Sequence, residues 1–198
     1  MASLSDFIVS KTRVKLLGVF FGGKAGGPGQ MYHVRELVRL CGEEINAVRR
    51  ELARMDELGI ARREARGNRV YYSLRPEYPF YADLLELVVK TTGLGAAIRK
   101  NKEKLGKLHY VMFSGRFSRW LPRRDEDEVD VFLVGDIVLP EIVGLIREEQ
   151  KRRDTEINYT PMTKDEFEFR KKRRDPFLLS VLQKSRVMIL GDEESFVS

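Results

Sequence analysis

The sequence predicts a chain of mixed α+β and α/β class, with a helical N-terminal module that ends in a β-hairpin and a C-terminal module built on a small sheet. Two patterns lead to this division. Up to residue 78, helical apolar spacing is interrupted by glycines and gives way to a pair of short, arginine-rich strands. Beyond residue 106, strand-like and helical runs alternate, as in an α/β sheet domain. We therefore expect domains at 1–78 and 107–198, joined by a helical segment at 79–106.

Composition limits the class of protein further. The 198 residues suffice for one or two domains, and 42% hydrophobic residues can form real cores. No apolar run approaches the roughly 20 residues of a membrane span, and the N-terminus lacks the features of a secretory signal. The single cysteine, Cys41, excludes an internal disulfide. We expect a soluble cytoplasmic protein with no membrane partner.

The net charge of +6 is concentrated in the N-terminal module. Through Tyr78 the chain has 14 Lys and Arg against 9 Asp and Glu, which leaves 22 against 21 in the remainder. A basic excess confined to one module indicates a surface for a polyanion, although a basic surface without a partner is the alternative.

The N-terminal elements follow from the spacing of apolar residues and glycines. Helices are predicted at 10–21, 32–40 and 43–58, with the glycine-rich run 22–29 after the first and Gly42 and Gly59 at the ends of the others. Strands at 60–65 and 69–74 follow, joined by a turn at Arg66-Gly67-Asn68. Helix, turn, helix and hairpin is the order of a winged helix-turn-helix.

The third helix and the hairpin carry the candidate DNA contacts. With Val48 and Leu52 buried, one helix face remains outward, and it would enter the major groove while the hairpin reaches the backbone. The candidates are Asn46, Arg49, Arg50 and Arg54 on the helix and Arg62, Arg63, Arg66, Asn68 and Arg69 on the hairpin. The predicted partner is double-stranded DNA, bound without a cofactor, and a module for protein contacts is the alternative. Glu43 and Glu44 favour the helix dipole but repel phosphate, and the sequence does not decide between these effects.

For three further residues and for the linker, a structural role is the alternative to a functional one. His33, His109 and Cys41 have no partners at metal-ligand spacing, so we expect structural roles for them. Helices are predicted at 81–93 and 96–105, joined across Gly93-Leu94-Gly95. The apolar positions of the first cover a broad face, which fits either a homodimer seam or domain–domain contact, or burial against the following sheet.

In the C-terminal module, strands are predicted at 108–113, 129–134, 156–159 and 187–190, helices at 140–152, 164–173 and 176–182, and a polar tail at the end. The turn Ser114-Gly115 ends the first strand, and Glu128 and Asp130 open the second. Alternation places both carboxylates on one face beside the glycine turn, which suits magnesium ions and a nucleoside triphosphate. The alternative is a solvated acidic loop paired with Arg116, Arg119, Arg123 and Arg124.

These motifs resemble the minimal nucleotidyltransferase domain, a reduced relative of the DNA polymerase beta and kanamycin nucleotidyltransferase superfamily. The whole chain resembles bacterial and archaeal proteins that fuse an arsenic-repressor-like winged helix to that domain. The resemblance runs from SKTRVKLL and EEINAVRREL in the front half through EINYT to DPFLLSVL. It implies a transcriptional regulator, and we expect this regulator to be a homodimer on a pseudo-palindromic site. It also implies Ser114, Gly115 and Arg116 at a nucleotide, Glu128, Asp130 and Glu156 as catalytic carboxylates, and magnesium on the first two of these.

Several residues depart from the pattern of active nucleotidyltransferases. Arg116 follows Gly115 where active members have serine, Trp120 stands at a glycine position, and Glu128 replaces an aspartate. Either Glu156 or Asn158 occupies the place of the third carboxylate. The departures predict a domain that serves dimerisation or nucleotide sensing rather than catalysis. The alternative is a magnesium-dependent nucleotidyltransferase of the antitoxin kind, which modifies a partner toxin or RNA.

Overall fold

The computed structural model describes residues 10–22 and 30–198, and the chain divides into two compact units, Met1–Thr91 and Thr92–Ser198. The described residues form a mixed α+β structure of ten α-helices, a three-stranded antiparallel sheet and a four-stranded mixed sheet. The predicted glycine-rich break at 22–29 lies, apart from Gly22, outside the described residues. None of the described helices combines the length and the apolar character needed to cross a membrane.

The described part of unit 1 contains four helices and the three-stranded sheet. Its elements are α1 (Lys11–Gly22), β1 (Tyr32–His33), α2 (Val34–Cys41), α3 (Ile45–Glu57), β2 (Ala61–Arg66), β3 (Arg69–Leu74) and α4 (Tyr81–Thr91). The strand order is β1-β3-β2, with β3 antiparallel to both neighbours.

The prediction of a helix from residue 32 is wrong for its first two residues. Tyr32 and His33 are extended and pair with Tyr72 and Tyr71 of β3, so they form β1. His33 has φ −73° and ψ 145°, and its Nδ1 accepts a hydrogen bond from the Arg35 N–H, so it caps α2. Pairing with a strand some forty residues away overrides the local helical spacing.

The core of unit 1 draws on all four helices. Leu16, Leu17, Phe20 and Phe21 of α1 are buried in it. The apolar face of α4 packs on α1, with Leu85 and Val88 buried and the Phe21 and Tyr81 rings in edge contact at 5.2 Å. This face is therefore largely used within unit 1, where it packs on a helix. Its remaining apolar residues, Leu84, Leu87 and Val89, are partly buried in the same core.

Unit 2 is built on the mixed sheet. Its elements are α5 (Gly93–Lys100), β4 (Gly106–Ser114), α6 (Gly115–Ser118), β5 (Val131–Ile137), α7 (Leu139–Arg153), β6 (Tyr159–Met162), α8 (Lys164–Lys172), α9 (Pro176–Gln183), β7 (Arg186–Leu190) and α10 (Glu193–Val197). The order is β6-β5-β4-β7, in which only β5 and β6 are parallel. The predicted joint at Gly93-Leu94-Gly95 is instead the first turn of α5.

Two predicted strand starts are wrong, and both errors concern the candidate carboxylates. β5 begins at Val131 rather than residue 129, and β6 begins at Tyr159 rather than residue 156. Just before these strands, the N–H groups of Asp130 and Val131 both donate to the Asn158 carbonyl. Because Glu128, Asp130 and Glu156 precede the strands, strand alternation does not fix the direction of their side chains.

The end of the chain is also different from the predicted polar tail. Asp192 caps α10 by accepting from the Ser195 N–H, and this helix places Phe196 in the core with no exposed surface. The Phe196 ring stacks on Phe167 at 5.4 Å and also contacts Tyr110 and Phe132. A single aromatic residue thus anchors a segment whose other residues are mostly polar.

We predict that Phe196→Ala lowers the free energy of unfolding of unit 2 by about 3 kcal/mol, because the substitution leaves a cavity among three aromatic rings. Urea denaturation measures the change. The neighbouring Val197→Ala is the matched control, since Val197 is 41% exposed and its loss should cost below about 0.5 kcal/mol. Equal effects of the two substitutions would contradict the packing of α10.

Candidate functional site

The start of α3 shows how the two acidic residues there are used. The Glu44 carboxylate accepts from the N–H groups of Asn46 and Ala47 at 2.8 and 3.1 Å, which caps the helix. Glu43 forms an ion pair with Lys15 at 2.5 Å. Both carboxylates are therefore engaged within unit 1, which reduces the repulsion of phosphate that the sequence left open.

Burial fixes the orientation of α3. Val48, Leu52 and Met55 have no exposed surface, so the opposite side of the helix is outward, and Asn46, Arg49, Arg50 and Arg54 are exposed there. Successive helical residues point about 100° apart, however, so Arg49 and Arg50 face different surroundings.

The hairpin has two faces with different electrostatics. Arg62 pairs with Glu77 at 2.6 Å and Arg66 with Glu64 at 2.7 Å, so two of the predicted phosphate contacts are neutralised. Arg63 is on the other face, because it alternates with Arg62 along β2 and pairs in register with Tyr72. The hairpin arginines thus divide into a paired set, Arg62 and Arg66, and an unpaired set, Arg63 and Arg69, although Arg69 is opposite Arg66 in register and shares its face.

The unpaired set lines a cleft of about 490 Å³ between α3, the hairpin and the start of α2. Its polar lining residues are His33, Arg35, Arg49, Arg63, Asn68 and Arg69. Four of these are arginines, none is acidic, and the four guanidinium groups form no ion pair with any residue in the described part of the chain. We call this surface the arginine cleft.

The structure brings Arg49, Arg63, Asn68 and Arg69 together in the arginine cleft and leaves the other predicted contacts outside it. Arg50 and Arg54 line a separate cleft of about 480 Å³ with Glu51 and Glu57, where Arg54 lies 3.8 Å from Glu51. His33 and Arg35 were not among the predicted contacts. They lie beside the hairpin because β1 pairs with β3, and local sequence patterns do not reveal this long-range pairing.

In unit 2, the two neighbouring candidate carboxylates are buried and held by positive charge. Asp130 accepts from Arg123 Nη1 at 2.7 Å and from the Asn158 N–H at 2.9 Å. Glu128 accepts from the Arg124 N–H at 2.8 Å and lies 3.8 Å from Arg116 and 3.6 Å from Lys184. The predicted pairing of the acidic loop with Arg116 and Arg123 is therefore formed, although the carboxylates are buried rather than solvated.

The third candidate carboxylate does not complete the arrangement. Glu156 is exposed and lines a cleft of about 360 Å³ with Asp130, whereas Glu128 is not part of that cleft. Burial raises the pKa of Asp130 above its ordinary value, against the hydrogen bonds from Asn158 and Arg123. Within residues 10–22 and 30–198, no three His, Cys, Asp or Glu side chains come together as a metal site. The residues present do not fit the magnesium pair that the resemblance implies, because cationic side chains hold both carboxylates.

The residues of the predicted nucleotide-binding turn make structural contacts within unit 2. The Ser114 hydroxyl accepts from the Phe117 N–H at 3.2 Å and is buried. Gly115 donates its N–H to the Ser185 carbonyl at 2.7 Å, and a Cβ there would overlap the Ser185 hydroxyl. The glycine therefore permits close packing of α6 against the start of β7. Arg116 donates to the Pro122 carbonyl at 2.7 Å.

The side chain of Trp120 packs against an arginine. Trp120, which stands at a glycine position of the active pattern, has φ 58°, in the left-handed region that favours glycine. Its ring contacts the Arg153 guanidinium at 4.0 Å, and Arg153 also lies 3.7 Å from the Phe117 ring. Arg153 and Arg152 both bind the buried Glu149 at 2.6 Å.

Comparison with known proteins identifies no relative, since no family model, no curated protein and no solved structure matches this chain.

Glu149 provides a pH-dependent test of the stacked arginine. Burial acts to raise the pKa of Glu149, but the hydrogen bonds and charges of Arg152 and Arg153 outweigh it and lower that pKa. A lowered pKa contributes stability that is present above the unfolded value of about 4.3 and is lost as the pH falls through the folded value. Glu149→Gln should cost roughly 3 kcal/mol at neutral pH, because it leaves the largely buried Arg153 guanidinium without its anion.

The difference between wild type and Glu149→Gln should therefore shrink as the pH falls below about 4. Urea denaturation at a series of pH values measures it. Glu148→Gln is the matched control, since Glu148 is next to Glu149 in the sequence and forms an exposed ion pair with Lys151. A pH-independent difference would refute the role of the Glu149 charge.

Proposed function

We propose that this protein is a DNA-binding transcriptional regulator whose unit 1 is a winged helix-turn-helix. The observation that carries the proposal is the arginine cleft, where α3 and the hairpin present Arg49, Arg63, Asn68 and Arg69 and no carboxylate among the described residues neutralises the arginines. The order α1, β1, α2, α3, β2, β3 supports it, since a helix pair followed by a hairpin is the arrangement that places the last helix in the major groove.

The charges of unit 1 favour a polyanionic duplex over a protein partner. Unpaired arginines on a concave surface attract phosphates and release counterions when they bind. A protein interface usually excludes such a density of unpaired like charge from its centre. The paired hairpin face and the mixed-charge cleft around Arg50 do not have this property.

The geometry suggests a division of roles among the predicted contacts. Arg49 and Asn46 belong to the exposed side of α3 and are proposed to read base edges in the major groove. Arg63, Asn68 and Arg69 of the hairpin are proposed to hold phosphates. Arg62 and Arg66 are assigned no direct contact, because their charges are used by Glu77 and Glu64.

For unit 2 we propose a non-catalytic role in homodimerisation or nucleotide sensing, in a regulator that binds a pseudo-palindromic site. Support comes from Arg123, Arg116 and Lys184, which hold Asp130 and Glu128, and from Gly115, which Ser185 covers. The winged-helix regulator fused to a nucleotidyltransferase-like domain is the family that this combination resembles.

We expect Arg49→Ala/Arg63→Ala to weaken duplex binding and to lower the slope of log Kobs against log salt by about 1, because Arg63 is proposed to hold a phosphate whereas Arg49 is proposed to read a base edge. Fluorescence anisotropy with labelled duplex DNA measures both. Arg62→Ala/Arg66→Ala removes the same charge from the paired face of the hairpin and should leave the slope close to that of wild type. Absence of salt-dependent binding by wild type would contradict the proposed function.

For unit 2 we expect no transfer from any of the four radiolabelled nucleoside triphosphates in the presence of magnesium. The physical reason is that productive metal binding would require Asp130 and Glu128 to leave their cationic partners. Labelling of the protein or of added RNA is measured by gel autoradiography. Label that appears with wild type and disappears in Asp130→Asn would overturn the non-catalytic role.

A further inference from the structure

The arginine cleft has a third wall that the assignment of α3 and the hairpin leaves unused. His33 of β1 and Val34 and Arg35 at the start of α2 line it beside the hairpin residues. Arg35 is exposed, and its guanidinium forms no ion pair with any residue that the structure describes. A fourth unpaired cation at the cleft is costly for the free protein, since like charges repel, and it is compensated when an anion binds.

The third wall is fixed to the hairpin. β1 pairs His33 with Tyr71 of β3, and the two rings meet edge to face at 5.6 Å. His33 in turn accepts the Arg35 N–H through Nδ1 at 3.3 Å, which sets the first turn of α2. The backbone of Arg35 is therefore held in a defined position relative to Arg63 and Arg69.

We infer that Arg35 binds a backbone phosphate of the duplex whose major groove α3 enters, so that the DNA strand lies between the start of α2 and the hairpin. The inference rests on the proposed function. Arginine suits this role because its planar guanidinium donates two parallel hydrogen bonds to a phosphate. The contact is independent of base sequence and fixes the register of α3 along the groove.

The neighbouring Arg39 supplies a matched comparison. It is exposed on the same helix, one turn or about 6 Å further from the cleft, and it does not line the cleft. Removing either arginine changes the net charge of the protein equally. A difference in DNA binding between the two variants therefore reports the effect of the arginine's position and not of the total charge.

The experiment measures binding of the full chain to a fluorescein-labelled duplex of roughly 30 base pairs, which can hold two half-sites one helical turn apart. Anisotropy titrations are repeated from about 50 to 200 mM salt for wild type, Arg35→Ala, Arg35→Lys and Arg39→Ala. We expect Arg35→Ala to bind several-fold more weakly and to lower the salt slope by about 0.9. Arg39→Ala should match wild type, and Arg35→Lys should retain the slope because it keeps the charge.

Two failures are distinguishable. If Arg35→Ala keeps the wild-type slope while Arg49→Ala/Arg63→Ala loses it, the third wall does not contact DNA and the proposed function stands. If wild type shows no salt-dependent binding, the proposed function and this inference are both wrong. Far-UV circular dichroism and the Tm of each variant confirm that the exposed substitutions leave the fold intact.

Discussion

The C-terminal sheet depends on one buried junction at Asp130. The Ser114 N–H donates to the Asp130 carbonyl, and the Asp130 N–H donates to Asn158, so this residue joins the ends of three strands. Its carboxylate is only tolerable in the interior because Arg123 and the Asn158 N–H satisfy it. The acidic residues that look catalytic in the sequence thus have structural partners in this fold.

Unit 1 holds several like charges close together in a folded structure. α3 buries its apolar side completely and caps its start with Glu44, while the hairpin gives two arginines to internal partners and leaves the others unpaired. The unpaired arginines are all exposed, so water screens their repulsion in the free protein. A surface of this kind binds anions through electrostatics already present in the folded chain.

Local signals in the sequence predicted much of this architecture. Apolar spacing located α1 and α3, and a turn signal located the hairpin, because these elements are fixed by contacts close in sequence. The errors arose where distant pairing decides. Tyr32 and His33 are extended because they pair with β3, and the placement of Glu128 and Asp130 depends on Asn158. Phe196 is buried because its ring stacks on Phe167. The split of Arg49 from Arg50 depends on which neighbours line each cleft, and residue spacing does not contain that information.

The contact between Trp120 and Arg153 gives the protein an optical property. Trp120 is the only tryptophan in the chain and belongs to unit 2, whereas the seven tyrosines are distributed over both units. Its indole is half-buried against a guanidinium, so its emission should move to longer wavelength when that contact opens. Selective excitation of tryptophan therefore follows the C-terminal unit alone. Unit 2 therefore carries its own fluorescent probe of this contact.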